Sequence, residues 1–225
     1  MKRFFLIGAL VFTAVSQIHA ADLPQAPAAY VPLTAPVYNW GGIYFGANSG
    51  YAFGTSQWNP NPGGASTADF DISGFLAGAT LGANVQADAF VFGIDGDINA
   101  SGITGSPSAV NCAGFSCTTK NDWFATARVR IGYAVERVLL YGTAGGAFGN
   151  VEGEFNGTTT ANITKAGWTA GAGIEAAFAD NWTARVEYLY VALQNASFAN
   201  GTPTLTTTVS FDANIIRVGL DYKFR

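Results

Sequence analysis

Eight segments of alternating apolar and polar residues, spacers that run long and short in strict succession, and charge held to one face of each segment predict an all-β fold. The specific architecture they predict is an eight-stranded antiparallel transmembrane β-barrel of the outer-membrane type, with short periplasmic turns and four long extracellular loops. Successive side chains of a strand point to opposite sides, so alternation assigns each residue to a face. The 225 residues include 28 Gly, 17 Phe, 9 Tyr and 5 Trp, which suits tightly packed strands and turns better than helices.

The first twenty residues form their own unit. Lys2 and Arg3 supply a positive start, Phe4 to Val15 an apolar run, and "SQIHA" a cleavage site after Ala20. That is a secretory signal peptide (1–20), too short to span a membrane as a helix. Its removal takes the only His (His19) and the only Met (Met1), and the loss of Lys2 and Arg3 moves the formal charge from −4 to −6. No imidazole then remains for acid–base work or ligation, which argues against an enzyme, and an acidic exported chain is a poor partner for nucleic acid. Residues 21–39 hold Pro24, Pro27, Pro32 and Pro36, half the prolines of the chain, and read as an extended periplasmic lead. The barrel is expected over 40–225.

The predicted strands run over 40–54, 71–85, 90–100, 122–134, 138–149, 165–178, 182–191 and 210–224. Between them lie spacers 55–70, 101–121, 150–164 and 192–209, long and rich in Thr, Ser, Asn and Gly, alternating with the short 86–89, 135–137 and 179–181. A soluble sandwich has no reason to gather every long connection at one end, whereas an outer-membrane barrel does.

The faces carry the rest of the argument. In "FVFGIDGDINA" Phe90, Phe92, Ile94 and Ile98 oppose Asp95, Asp97 and Asn99. In "DWFATARVRIGYA" Trp123, Val129, Ile131 and Tyr133 oppose Arg128 and Arg130. Glu175 lies opposite Trp168, Ile174 and Phe178, while Arg185 and Glu187 lie opposite Trp182, Val186, Tyr188 and Tyr190. The closing "RVGLDYKFR" sets Arg217, Asp221 and Lys223 against Val218, Leu220, Tyr222 and Phe224. The polar faces thus collect five acids (Asp95, Asp97, Glu175, Glu187, Asp221) and five bases (Arg128, Arg130, Arg185, Arg217, Lys223). Charges persist in a low-dielectric enclosure when paired, and here the signs balance, so this face is read as the lumen. Glycines on it leave room for long Arg and Tyr side chains. The apolar face, ending in Trp and Tyr, is read as the lipid-facing band.

Other motifs weigh less. Gly171-x-Gly173-x-x-Ala176 lacks the strand-then-helix context of a dinucleotide fingerprint. Asp95-x-Asp97-x-Asn99 begins like a calcium loop but has Ala100 and Ser106 where Gly and Glu are needed. No metal or cofactor site is therefore expected. Asn156-Gly157-Thr158 and Asn162-Ile163-Thr164 read as ordinary polar loop composition. Cys112 and Cys117, in "NCAGFSC" of the second long connection, are expected to form a small disulfide in an oxidising compartment.

The strings "YNWGGIYFGANSGYAFG", "LLYGTAGGAFGNV", "WTARVEYLYVAL" and "IIRVGLDYKF", taken in this order, resemble the RopB-type outer-membrane proteins of rhizobia and brucellae. These are small barrels related in fold to the transmembrane domain of OmpA, and the resemblance covers 40–224 with the signal peptide and lead. It implies a surface antigen of the porin family that supports envelope integrity, with outer-membrane lipids and lipopolysaccharide as surroundings. It also implies recognition of the terminal aromatics Tyr222 and Phe224 by the barrel-assembly machinery, although here Arg225 follows Phe224. The alternatives are a loop-based binder of haem or of host or envelope components, and a small porin-like channel. A haem ligand would have to be Tyr or Cys, and eight strands enclose an interior that side chains fill.

Overall fold

The structure is a computed structural model that describes residues 38–61, 69–106, 117–155, 158–199 and 206–224. The expected signal peptide, the expected lead up to residue 37 and Cys112 lie outside the described residues, as does the side chain of Cys117 and with it the expected disulfide.

Eight strands follow in chain order: β1 (Gly42–Asn61), β2 (Phe70–Ala87), β3 (Phe90–Gly105), β4 (Cys117–Val135), β5 (Val138–Phe155), β6 (Thr158–Ala177), β7 (Trp182–Ala199) and β8 (Thr206–Lys223). Each pairs antiparallel with the next, and β8 returns to β1 to close the barrel. Closure leaves no sheet edge, so every backbone amide and carbonyl within the membrane finds a partner along the ladder. At one end the strands are joined by tight turns. The two-residue turns Asp88–Ala89 and Glu136–Arg137 carry positive φ at Asp88 (+53°) and Glu136 (+52°). Asp visits that region readily; Glu does so only where the turn demands it.

The alternation resolves into inside and outside along every strand. On β8, Arg217 and Asp221 are each 1% exposed while Val218 is 57% and Leu220 46% exposed. The outer surface is a continuous apolar band that includes Ile43, Phe45, Leu81, Phe92, Ile94, Val129, Ile131 and Leu140. Aromatic pairs border it at both ends. Phe90 meets Tyr133 (centroids 5.5 Å), and Tyr222 meets both Trp182 (5.1 Å) and Phe224 (5.2 Å), on the side of the tight turns. Tyr51 meets Phe75 (5.0 Å), and Trp168 meets Tyr190 (5.3 Å), on the other. These are the two interfacial girdles of a membrane barrel.

The strands are longer than the alternation predicts, and except in β2, which gains two residues at its tight-turn end and one at the other, nearly all the added length lies away from the tight turns. β1 runs to Asn61 rather than 54, β6 begins at Thr158 rather than 165, and the connections shrink to 62–69, 106–116, 156–157 and 200–205. The four long loops are therefore in large part paired strand. Above the apolar band the outer face of a strand meets water rather than lipid while inner residues such as Ser56, Asn121 and Val151 stay buried, so the alternation of apolar outside and polar inside fades in the sequence while the hydrogen-bond ladder continues. At about 3.3 Å per residue and a tilt of about 40°, such strands rise about 45 Å, well beyond an apolar band of about 25 Å.

A bulge marks the transition on β4. Register shifts fall between Ala100 and Ile103 on the β3 side and between Lys120 and Phe124 on the β5 side. Below it even-numbered residues face the lumen (Phe124, Thr126, Arg128, Arg130); above it odd-numbered ones do (Thr119, Asn121). Asn150 of β5 clamps the irregularity: its Oδ1 accepts from the amides of Asp122 (2.8 Å) and Trp123 (3.1 Å), and its carbonyl accepts from Asn121 Nδ2 (2.6 Å). Those bonds replace the ladder bonds that the extra residue disrupts.

The lipid face should be as intolerant of charge as the lumen is of its loss. Val218→Arg places a charge near the midplane at a cost of about 2–4 kcal/mol. Thr55→Arg, outward on β1 above the band and beside Asp212 in register, should cost little. The measurement is the temperature at which the folded band converts to the unfolded one on a detergent gel. Equal shifts for both variants would contradict the assigned membrane position.

Candidate functional site

The ten charges singled out in the sequence are all buried on the lumen side. At the centre, Asp97 (β3) and Glu187 (β7) lie between Arg128 (β4) and Arg217 (β8). Arg128 is 3.1 Å from Asp97 and 3.2 Å from Glu187; Arg217 is 3.1 Å from Asp97 and 2.6 Å from Glu187. The four groups form a closed ring of alternating sign across the lumen. Register sets it up, because Glu187 stands directly opposite Arg217 and Asp95 opposite Arg128. Asp95 approaches Arg128 at 2.7 Å. Neutral groups occupy remaining lone pairs: Thr126 and Asn99 each donate to Asp97 (both 2.6 Å), and Tyr141 donates to Glu187 (3.1 Å).

Toward the tight turns a second cluster follows. Arg130 donates to Glu175 (2.7 Å) and to the Tyr44 hydroxyl (3.2 Å), and its guanidinium stacks 3.9 Å from the Tyr141 ring centroid. Thr183 donates to the other Glu175 oxygen (2.7 Å). Arg185 donates to Thr80 (2.7 Å) and lies 3.4 Å from Asp221. Lys223 stands apart at the mouth, where it donates to the Asn39 carbonyl and lies 4.2 Å from the Tyr38 ring centroid. Glycine makes room where these side chains lie along the inner wall. A Cβ on Gly82 would collide with the Tyr44 ring, one on Gly173 with Tyr141, and one on Gly219 with Arg185.

Three features of the interior were not foreseen from sequence. The neutral partners Tyr44, Tyr141, Thr126 and Thr183 belong to the network. Tyr38 and Trp40, ahead of β1, sit inside the mouth with Val91, Leu139 and Ala177. Above the charges the lumen turns apolar, filled by a cluster that includes Leu76, Ile103, Phe124, Leu189, Leu193, Phe211 and Ile215. A signal for the last existed. Leu189 and Val191 are in phase with Arg185 and Glu187, and Ile215 and Phe211 are in phase with Arg217.

The terminal aromatics Tyr222 and Phe224 lie outside, on the girdle, and the Phe224 amide donates to the Ile43 carbonyl (2.8 Å). At the opposite rim Lys120 and Glu154 pair at 2.6 Å, and that hydrogen bond holds the Lys120 ammonium above its ordinary pKa range.

A closed antiparallel barrel with an apolar girdled exterior and an ionic interior defines an outer-membrane β-barrel protein. The family model for the outer membrane protein beta-barrel domain matches residues 7–224, and the chain belongs to that family. The 31 kDa outer-membrane immunogenic protein of Brucella melitensis is 37% identical over 245 residues, covering all of both chains. The 25 kDa outer-membrane immunogenic protein of Brucella abortus is 31% identical, covering 100% of this chain and 99% of its own. The 22 kDa outer membrane protein of Rhizobium leguminosarum bv. viciae is 30% identical over 84% of this chain and 80% of its own. Among solved structures, the outer membrane protein OprG of Pseudomonas aeruginosa superposes with a TM-score of 0.54 at 13% identity, covering 82% of this chain and 97% of that one, a likeness of fold alone. The protein resides in the outer membrane, so the tight turns are periplasmic and the extended strand ends extracellular.

Arg217 serves both carboxylates of the central ring. Arg217→Ala leaves Glu187 and Asp97 with Arg128 alone, and truncating one partner of a buried ionic cluster costs about 3–5 kcal/mol. Its heat-modification temperature should fall accordingly, and Arg217→Ala/Glu187→Ala should recover part of the loss. Raising salt should leave the wild-type temperature nearly unchanged, since buried pairs are screened little. A wild-type temperature that drops steeply with salt would place these charges in water.

Proposed function

We propose that this protein is a structural outer-membrane barrel that contributes to envelope integrity and presents its extracellular strand ends and their connections at the cell surface. The observation that carries the reading is the filled lumen. The central guanidiniums are engaged with carboxylates, and the apolar cluster lies between them and the outside. A channel needs a continuous water path through both layers, and packed side chains of these two kinds oppose one. The same commitment of interior groups to one another supports a non-enzymatic role.

The names of the Brucella relatives describe them as immunogenic, which supports surface exposure here. Lipid and lipopolysaccharide are the partners that fit the apolar band and its girdles, and the outward Tyr222 and Phe224 suit recognition during barrel assembly. Binding of haem or of a host component by the connections is the alternative, and it rests on segments outside the described residues.

Two measurements test the structural reading. Purified protein in planar bilayers should give little or no stable conductance, and a deletion strain should become more sensitive to detergents and to large antibiotics. Well-defined single-channel steps from the pure monomer would make the protein a porin. A deletion strain with an intact barrier would remove the envelope role.

A further inference from the structure

The periplasmic mouth of the barrel is filled by a segment that belongs to no strand. Residues 38–40 precede β1, yet Trp40 is 1% exposed and Tyr38 is 5% exposed. Trp40 is the single buried tryptophan among those whose side chains are described; Trp168 and Trp182 lie outward. The two rings meet edge to face at 4.8 Å and rest on inward residues of three strands, Val91, Leu139 and Ala177.

The way this segment is held differs from the way a strand is held. The Trp40 amide donates to the side chain of Gln86 (2.6 Å), not to a neighbouring backbone. The Gly41 amide donates to Asn39 Oδ1 (2.8 Å), within the segment itself. Lys223, from the last residue of β8, donates to the Asn39 carbonyl and sits 4.2 Å from the Tyr38 ring centroid. Arg137, from the second periplasmic turn, lies 5.7 Å from the same ring. Cation–aromatic contacts of this kind contribute modestly each, and none of these bonds belongs to a barrel ladder. Loss of these contacts would leave the closed eight-strand ladder unbroken.

The segment meets β1 at a glycine. Gly42 has φ +126°, a conformation that L residues rarely adopt, and a Cβ there would lie 2.9 Å from the Phe224 carbonyl oxygen. The inward turn that brings Trp40 under the barrel depends on glycine at this position.

We propose that Tyr38–Trp40 is a latch, hinged at Gly42, that closes the periplasmic mouth and seals the ionic interior from the periplasm. Its release opens a one-sided vestibule that ends at the apolar cluster, not a pore. Closure by the latch does not rest on the structural role proposed above, whereas the blind end of the vestibule rests on the same apolar cluster.

The test is site-directed labelling in full-length protein purified from outer membranes, with Cys112→Ser and Cys117→Ser to remove native thiols. Ala177→Cys, in the wall against the latch, reports access to a charged maleimide. Labelling should be slow in this background and with Trp40→Phe. It should accelerate roughly tenfold or more in Tyr38→Ala/Trp40→Ala and in Gly42→Val, with heat-modifiable migration retained, as local opening demands. Fast labelling with the latch intact, or unchanged labelling in folded latch variants, overturns the proposal. A protein keeping Trp40 as its only tryptophan, with Trp58, Trp123, Trp168 and Trp182 changed to Phe, gives a second readout that leaves the latch residues in place. Blue-shifted emission resistant to iodide supports a seated latch, and red-shifted, quenchable emission overturns it. Conductance in planar bilayers separates the two proposals. Its absence in released variants fits a vestibule, whereas channel steps appearing only on release would keep the closure but reject the apolar seal, and with it the filled-lumen argument.

Discussion

Asp97 and Glu187 come from opposite sides of the barrel, and each is shared by Arg128 and Arg217. A charge withdrawn from water is tolerated only beside its counter-charge, and the attraction grows as the surroundings lose polarity. Holding four such groups in one ring therefore fixes much else. β3 and β4 must stand across the lumen from β7 and β8, so the sheet must close, and the registers that place Glu187 against Arg217 and Asp95 against Arg128 must hold to the residue. A slip of one residue would turn every charge on a strand into lipid and every apolar side chain inward. Membrane and ion ring thus enforce the same register from opposite faces of the sheet.

Much of this was legible in the sequence because both solvents leave a period of two. Val218 beside Arg217 says that the two point apart, and the balance of five acids against five bases says which of them turns inward. The pairings were not legible. Arg128 reaches Asp95 across one ladder step but reaches Glu187 across the lumen, and nothing in the spacing of 128 and 187 encodes that distance. Nor was the length of the strands. Alternation records a difference between two environments, and where β6 rises above the membrane as "TTTANITK" the difference is gone although the ladder remains. Hydrogen bonds between strands write no pattern of their own into a single sequence.

The apolar upper lumen shows the opposite failure, a signal present but open to two meanings. Leu189 and Ile215 continue the phase of Glu187 and Arg217. Once Arg217 is assigned inward, Ile215 must follow it, since no bulge intervenes on β8 between them. Reading residues by polarity sends Ile215 to lipid; reading them by phase sends it to the lumen. Phase wins because backbone geometry is stiffer than any preference of one side chain. Where phase does break, as at Asn121–Trp123 on β4, a dedicated side chain, Asn150, is present to bind the freed amides.

The interior is therefore asymmetric along its axis. An apolar cluster lies on the extracellular side, the ion ring and its tyrosines in the middle, and an aromatic pair held by cations at the periplasmic mouth. The two ends differ in how they are built. The outer cluster consists of strand residues and is part of the barrel wall. The inner closure consists of Tyr38 and Trp40, outside any strand, behind a glycine hinge. Water reaching the ion ring would weaken its pairs by raising the effective dielectric around them. The network and its end closures consequently depend on each other: the closures keep the pairs strong, and the pairs hold together the strands on which the closures rest. Because the outer closure is part of the wall and the inner one is not, release of the latch would hydrate this interior from the periplasm while the barrel stays folded.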